Sequence, residues 1–151
     1  MSRIDDIRYL RDKTKASLKL VAAAMSEAGD DIAQAEEIIN KELGKRGDTV
    51  IASRLPGHRI IISYVHHDSS AGALIELLTE TDFAAKNEMV QRLGKDIAMT
   101  YAFTDAPAAQ WDEMKSIRNP EFTIADLIKE ASGVMGEAIK LDRVVRISNM
   151  K

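Results

Sequence analysis

The residues of this 151-residue chain with the chemistry to catalyse or to ligate are three histidines, ten serines and 24 carboxylates. His66-His67-Asp68 is the nearest thing to a metal triad. Neighbours on a strand point to opposite faces, so the two imidazoles cannot chelate one ion unless the strand ends between them. His58 lies across a turn and is the only other imidazole. Ser17, Ser69 and Ser70 have no histidine and acid at the spacing of a hydrolase. Glu36-Glu37 and Glu76 with Glu80 read as solvated carboxylates rather than an acid/base pair. Gly44-Lys45-Arg46-Gly47 lacks both the spacing and the preceding strand of a phosphate loop. With no cysteine, disulfides and thiolate metal sites are excluded. The expectation is a protein without covalent catalysis, metal or cofactor, whose function lies in its surface.

Composition narrows that surface. At 45% hydrophobic and 30% charged the chain is of ordinary globular type. A net charge of −3 argues against a nucleic-acid partner, which needs a basic face. No apolar run approaches the ~20 residues of a membrane span, and Met1-Ser2-Arg3-Ile4-Asp5-Asp6 is too acidic for a targeting peptide. A cytoplasmic location is expected. The seven methionines are scattered, which suits gap filling rather than a peptide groove.

The most informative stretch is Leu77 to Asn87. Ala73 to Leu78 is short and apolar enough for a buried strand, and from Phe83 onward large apolar residues recur at helical spacing. Thr81 or Asp82 is then the helix N-cap, and Asp82 also suits the positive end of the helix dipole. Two readings of Phe83 remain open. In continuous helical phase with Val90 and Ile97 it begins a core stripe; on the overhanging first turn it is an aromatic wedge.

Thr81-Asp82-Phe83-Ala84-Ala85-Lys86-Asn87 resembles the Thr-Asp-Phe-Val-Ala-Lys-Asn signature of the elongation factor Ts family, with Ala84 in place of the usual valine. Tyr64-Val65-His66-His67 and Ala73-Leu74-Ile75-Glu76 resemble the two strands that precede it there. Ile124 to Ala131 and Arg143 to Ile147 resemble the last helix and last strand. The matches run in one order over most of the chain, in a single-core form of the family.

The resemblance and the periodicity together predict an α+β fold. Its first part, residues 1–45, is a three-helix ubiquitin-associated-like module, and residues 46–151 form an antiparallel sheet packed with helices, the dimerisation-type core of the family. Ile4, Ile7 and Leu10 mark a helix ending near Thr14; Leu18 to Ala28 forms a second; Gly29 ends it, and Asp30-Asp31 caps a third carrying Ile32, Ala35, Ile38, Ile39 and Leu43. Gly44 to Asp48 is the expected boundary, and Thr49 to Leu55 a first strand before a Pro56-Gly57 turn. Arg59 to Val65 and the strand after Asp68-Ser69-Ser70-Ala71-Gly72 form a hairpin. The helix after Asp82 runs through Gly94, which costs about 1 kcal/mol unless something packs closely on it, to about Tyr101. A further helix begins at Pro107 and carries Trp111, Met114 and Ile117. Thr123 caps the last helix, with Ile124, Leu127, Ile128 and Ala131 buried and Gly133 and Gly136 loosening its end. Ile139 to Ile147 closes the sheet, with Leu141, Val145 and Ile147 as core positions.

By resemblance, the partner is elongation factor Tu in its GDP-bound and nucleotide-free states, and the activity is guanine-nucleotide exchange. Thr81, Asp82, Phe83 and Ala84 carry the exchange wedge, and Arg11, Thr14, Leu18 and Lys19 the contact of the N-terminal module. The family's Thr-Gly-Ala-Gly-Met-Met loop is changed here to Thr14-Lys15-Ala16-Ser17-Leu18-Lys19, so Leu18 either keeps a contact of altered chemistry or closes the three-helix core. A homodimer, if formed, is noncovalent and uses apolar faces of the sheet or helices. Two rival functions are a non-exchanging subunit that recruits elongation factor Tu to another assembly such as a viral replicase, and an unrelated adaptor binding another helix or peptide.

Overall fold

The computed structural model describes residues 2–54, 56–105, 110 and 113–149. The elements are α1 (Arg3–Thr14), α2 (Leu18–Glu27), α3 (Ile32–Ser53), β1 (His58–Val65), β2 (Ala71–Thr79), α4 (Asp82–Lys86), α5 (Glu88–Phe103), α6 (Ile124–Met135) and β3 (Lys140–Ser148). The architecture is α+β: a helical N-terminal region, then a three-stranded antiparallel sheet in the order β1-β2-β3 with helices packed on it.

Local signals set the first three helices. Ser2 and Asp5 form a reciprocal capping box at the start of α1, Ser17 caps α2 and Asp31 caps α3, each satisfying backbone N–H groups the helix cannot satisfy itself. Gly29 and Asp30 both take left-handed φ, +60° and +66°, which turns the chain between α2 and α3. Leu10, Val21, Met25, Ala35, Ile39 and Leu43 fill the space between these helices.

α3 does not stop where the sequence suggests. It continues through Gly44 and Gly47 to Ser53, so Thr49 to Ser53 is helix rather than strand. Leu55 lies outside the described residues. Two interhelical contacts explain the continuation. A Cβ on Gly47 would collide with the carbonyl of Lys129, and one on Gly133 of α6 with the carbonyl of Leu43. The glycines let α3 and α6 approach backbone to backbone, and this close packing offsets the weak helix propensity of the Gly44–Ile51 stretch. Gly133 is therefore a packing residue within α6, not a loosened end; Gly136, at φ +69°, is where that helix stops. Val134 of α6 packs on the N-terminal cluster and Ile51 of α3 on the sheet cluster, so the two cores share these helices.

The sheet buries one face. Ile62 of β1 and Ala73, Ile75 and Leu77 of β2 pack against Val90, Leu93, Ile97 and Tyr101 of α5 and Ile124, Ile128 and Ala131 of α6. Gly94 has the close neighbour its place in a helix requires: Ile62 Cδ1 fills the room a Cβ would take. β1 and β2 form the expected hairpin, with Val65 opposite Gly72, and Asp68 Oδ1 accepts the Ser70 amide at 2.9 Å in the turn.

β3 departs from simple alternation. Leu77 pairs with Leu141, but Glu76 pairs with Arg143, leaving Asp142 as an extra residue. This bulge puts Leu141 and Val144 on the helix side and turns Val145 and Ile147 outward, where they are 56% and 76% exposed. Of the three expected core positions only Leu141 is buried.

The expected helix from Pro107 also changes. Pro107 and Trp111 lie outside the described residues. Lys115 makes an isolated antiparallel bridge with Thr123, so Met114 to Ile117 is not helical; Met114 is buried and Ile117 is 43% exposed. Thr123 caps α6 as expected, in a full capping box with Asp126.

Candidate functional site: an exposed aromatic on a capped turn

β2 delivers the chain to a polar corner after Thr79. There Thr81, in extended conformation, accepts the Ala84 amide on Oγ1 at 3.2 Å and starts α4. The open choice of N-cap is thus decided for Thr81. Asp82 lies in the first turn, half-exposed, with its carboxylate 3.3 Å from Lys86 Nζ one turn on.

α4 lasts only five residues. Asn87 has ψ 135°, closes α4 by donating to the Ala84 carbonyl, and caps α5 by accepting the Met89 amide at 2.8 Å. This extended residue breaks the helical phase that would align Phe83 with Val90 and Ile97. Val90 and Ile97 are fully buried, whereas Phe83 is 83% exposed. The core-stripe reading of Phe83 is overturned. The signal was in the sequence: asparagine is a preferred cap, and Asn87 stands directly before the acidic Glu88.

Of the four signature residues, Thr81, Asp82 and Phe83 face solvent, while Ala84 is fully buried and anchors the turn together with Ala85. Gln91 Nε2 donates to the Ala85 carbonyl at 2.7 Å and ties α4 back to α5. Around the corner the chain is cross-bonded. Glu80 Oε2 accepts the Ala138 amide at 2.8 Å and Arg54 Nη1 at 3.3 Å, and Arg54 also donates to the Gly136 carbonyl. Thr81 Oγ1 donates to Glu137 Oε1 at 2.7 Å. Arg54 and Glu137 did not stand out in the sequence, and Glu80, expected there as a solvated carboxylate, is instead bonded into this corner, because their partners are 26, 56 and 58 positions away.

The N-terminal residues divide differently. Thr14 is buried, its hydroxyl donating to the Leu10 carbonyl and accepting the Ala16 amide, so it holds the α1–α2 turn. Leu18 is 55% exposed and does not close the helical core; Val21 and Met25 do. Arg11 and Lys19 are exposed. Arg11 lines a polar groove of about 580 Å³ with Lys15, Ser17, Leu20, Arg46 and Val134.

The imidazoles of His66 and His67 lie with ring centroids 4.2 Å apart, not on opposite faces, because β1 ends at Val65. Tyr64 Oη is 3.0 Å from His66 Nδ1, and Phe103 meets the His66 ring edge-on. Among the described residues no group of three histidines or carboxylates could hold a metal ion, and no helix is long and apolar enough to cross a membrane.

The outer sheet face exposes Ile61, Val65, Leu74, Val145 and Ile147. On the same face Glu76 lies between Arg59, at 2.6 Å, and Arg143, at 2.9 Å, with Asp142 completing the cluster. The Arg143 guanidinium, helped by Arg59, holds the Glu76 carboxyl down to about 2.

The family model described as Elongation factor TS matches residues 80–151, which include the exposed turn, α5, α6 and β3. The chain is 30% identical to the Elongation factor Ts of Thermosipho melanesiensis, over 94% of this chain and 95% of the relative. It is 27% identical to that of Acetivibrio thermocellus, over 93% and 86%. It is 35% identical to that of Aquifex aeolicus, over 95% of this chain but only 51% of the longer relative. Identity of 30% over nearly the full length of both chains, with the family model covering the Thr81–Phe83 turn, identifies this protein as a member of the elongation factor Ts family of translation elongation factors.

Proposed function

We propose that this chain is a guanine-nucleotide exchange factor that promotes GDP release from elongation factor Tu, without covalent chemistry. The observation that carries the reading is the 83% exposure of Phe83 on a turn that its own domain holds firmly. A large aromatic ring left in water at a fixed position suits an anchor that fills a slot in a partner. The energetic basis is linkage: a factor that binds the nucleotide-free partner more tightly than the GDP-bound one weakens GDP binding by the same ratio. Phe83 acts as the wedge, and Asp82 beside it brings negative charge toward the Mg²⁺ that the partner uses to hold GDP.

Residues 1–45 act as the ubiquitin-associated-like contact module through Arg11, Leu18 and Lys19. Residues 46–151 form the dimerisation-type core that carries the wedge. A second copy of the chain pairs noncovalently on the open sheet face, where exposed apolar residues lie beside a cluster of both charges that can be self-complementary across a two-fold axis. The protein works in the cytoplasm beside the translation machinery.

The test is release of fluorescent GDP from elongation factor Tu in a stopped-flow instrument. The full chain is expected to accelerate release and Phe83→Ala to abolish most of the acceleration. Stable co-purification with elongation factor Tu without faster release would replace exchange by simple recruitment, and failure to bind would remove the partner assignment.

A further inference from the structure

We propose that Glu137 is a positioning residue for exchange, holding Phe83 in its presented orientation by fixing the Thr81 hydroxyl; the inference rests on the wedge reading above. Phe83 is 83% exposed, so no packing of its own fixes the direction of the ring. Its direction depends on the backbone of α4. A helix of five residues is far too short to sustain itself, so its geometry depends on how it is tied at its ends.

Asn87 and Gln91 tie the C-terminal end. The N-terminal tie is Thr81 Oγ1, which must keep a lone pair aimed at the Ala84 amide. A hydroxyl has one proton and rotates to suit whatever accepts it. Glu137 Oε1, 2.7 Å away, takes that proton in a charge-assisted bond and so sets the rotamer in which the lone pair meets the first turn.

Glu137 is itself held. The amide of the next residue, Ala138, donates to the carboxylate of Glu80, the residue just before Thr81. Residues 80–81 and 137–138 thus bind each other twice in opposite senses, once from each side. Arg54, at the end of α3, bonds both Glu80 and the Gly136 carbonyl and completes the clasp. Release of the Glu137 bond leaves Thr81 free to turn to water, α4 to fray and the ring to sample other directions. Binding through the N-terminal module and the rest of the core is retained, and the step that needs the ring slows.

The experiment titrates elongation factor Tu carrying fluorescent GDP with full-length variants, reading the plateau release rate and the half-saturating concentration separately. Glu137→Ala, and Glu137→Asp with its shorter reach, are expected to lower the plateau roughly tenfold and to change half-saturation by less than about twofold. Glu137→Gln, whose amide oxygen accepts the same proton, is expected to keep the plateau. Hydrogen exchange on the free proteins should show the Ala84 and Ala85 amides exchanging faster in the Ala and Asp variants and at the parental rate in Gln. If Glu137→Ala fails to fold, the Asp and Gln pair gives the same comparison. Parental release by Glu137→Asp alongside slow release by Phe83→Ala overturns the positioning role and leaves the wedge standing. A Gln variant as slow as the Asp variant also overturns it, and parental release by both Phe83→Ala and Glu137→Asp overturns the two together.

Discussion

Gly47 on α3 and Gly133 on α6 each lie against the backbone of the opposite helix, Gly47 on the Lys129 carbonyl and Gly133 on the Leu43 carbonyl. This reciprocal contact joins the N-terminal helices to the sheet core and makes α3 one continuous helix. It also bears on truncation: removing residues through Lys45 would cut α3 in mid-course and remove the Leu43 side of the contact.

Gly47→Ala is expected to destabilise by about 1–3 kcal/mol, since a methyl must force the helices apart. Gly44→Ala, three residues earlier with no atom within 4 Å of a Cβ, is expected to stabilise by about 0.5–1 kcal/mol through helix propensity alone. Urea unfolding of both variants checks the pair. Equal effects would mean the interhelical contact does not form.

Phe83→Ala should leave stability within about 0.5 kcal/mol of the parent, because an exposed ring contributes little to its own domain. A buried core phenylalanine would instead cost roughly 3–5 kcal/mol. Asp82→Asn should likewise change stability by less than about 0.5 kcal/mol, since Thr81 is the cap and the pair with Lys86 is exposed. Any effect of Asp82→Asn on GDP release is then functional. Thermal melting of the two variants separates these cases.

Glu76 makes the protein acid-sensitive. Its folded pKa is depressed to about 2 by Arg143 and Arg59, below its ordinary 4.5. The stabilisation is therefore fully present above about pH 4.5 and is lost as pH falls toward 2. Unfolding midpoints measured across that window should fall for the parent, with a shallower fall for Glu76→Gln.

Asp96 acts with the opposite sign. It is buried on α5, accepts from Ser116 Oγ at 3.1 and 3.2 Å, and is raised above the usual carboxylate range by burial. A raised acid is most favourable to folding when protonated, so its contribution is lost as pH rises from 3.8 through the folded value. Asp96→Asn keeps an acceptor for Ser116 and sheds the buried charge. It is expected to match or exceed the parent's stability at pH 7, and the advantage should shrink as the solution is acidified.

The outer sheet face predicts concentration-dependent pairing. Ile147→Lys, at a position 76% exposed, should leave the monomer's stability nearly unchanged and shift light scattering from dimer to monomer. A parent protein that stays monomeric at high concentration with full exchange activity would remove the need for a dimer.

The sequence determined whatever depended on neighbours in the chain. Caps at Ser17, Asp31 and Thr123, the hairpin from His58 to Thr79 and the Thr81 turn are local, set by side chains that bond the backbone within a few residues. The family signature belongs to the same class, being contiguous. Tertiary structure decided what depended on distant partners. Whether Thr49 to Ser53 is strand or helix turned on the contact of α3 with α6, which no local propensity encodes. Whether Val145 and Ile147 are core or surface turned on one bulge opposite Glu76, since an extra residue reverses every later side chain. The clasp of Glu80 and Thr81 with Glu137 and Ala138 joins segments more than fifty residues apart. The phase of Phe83 stands between the two: a short-range cap at Asn87 broke it, and packing of Ala84 and Ala85 into the core then left the ring in water.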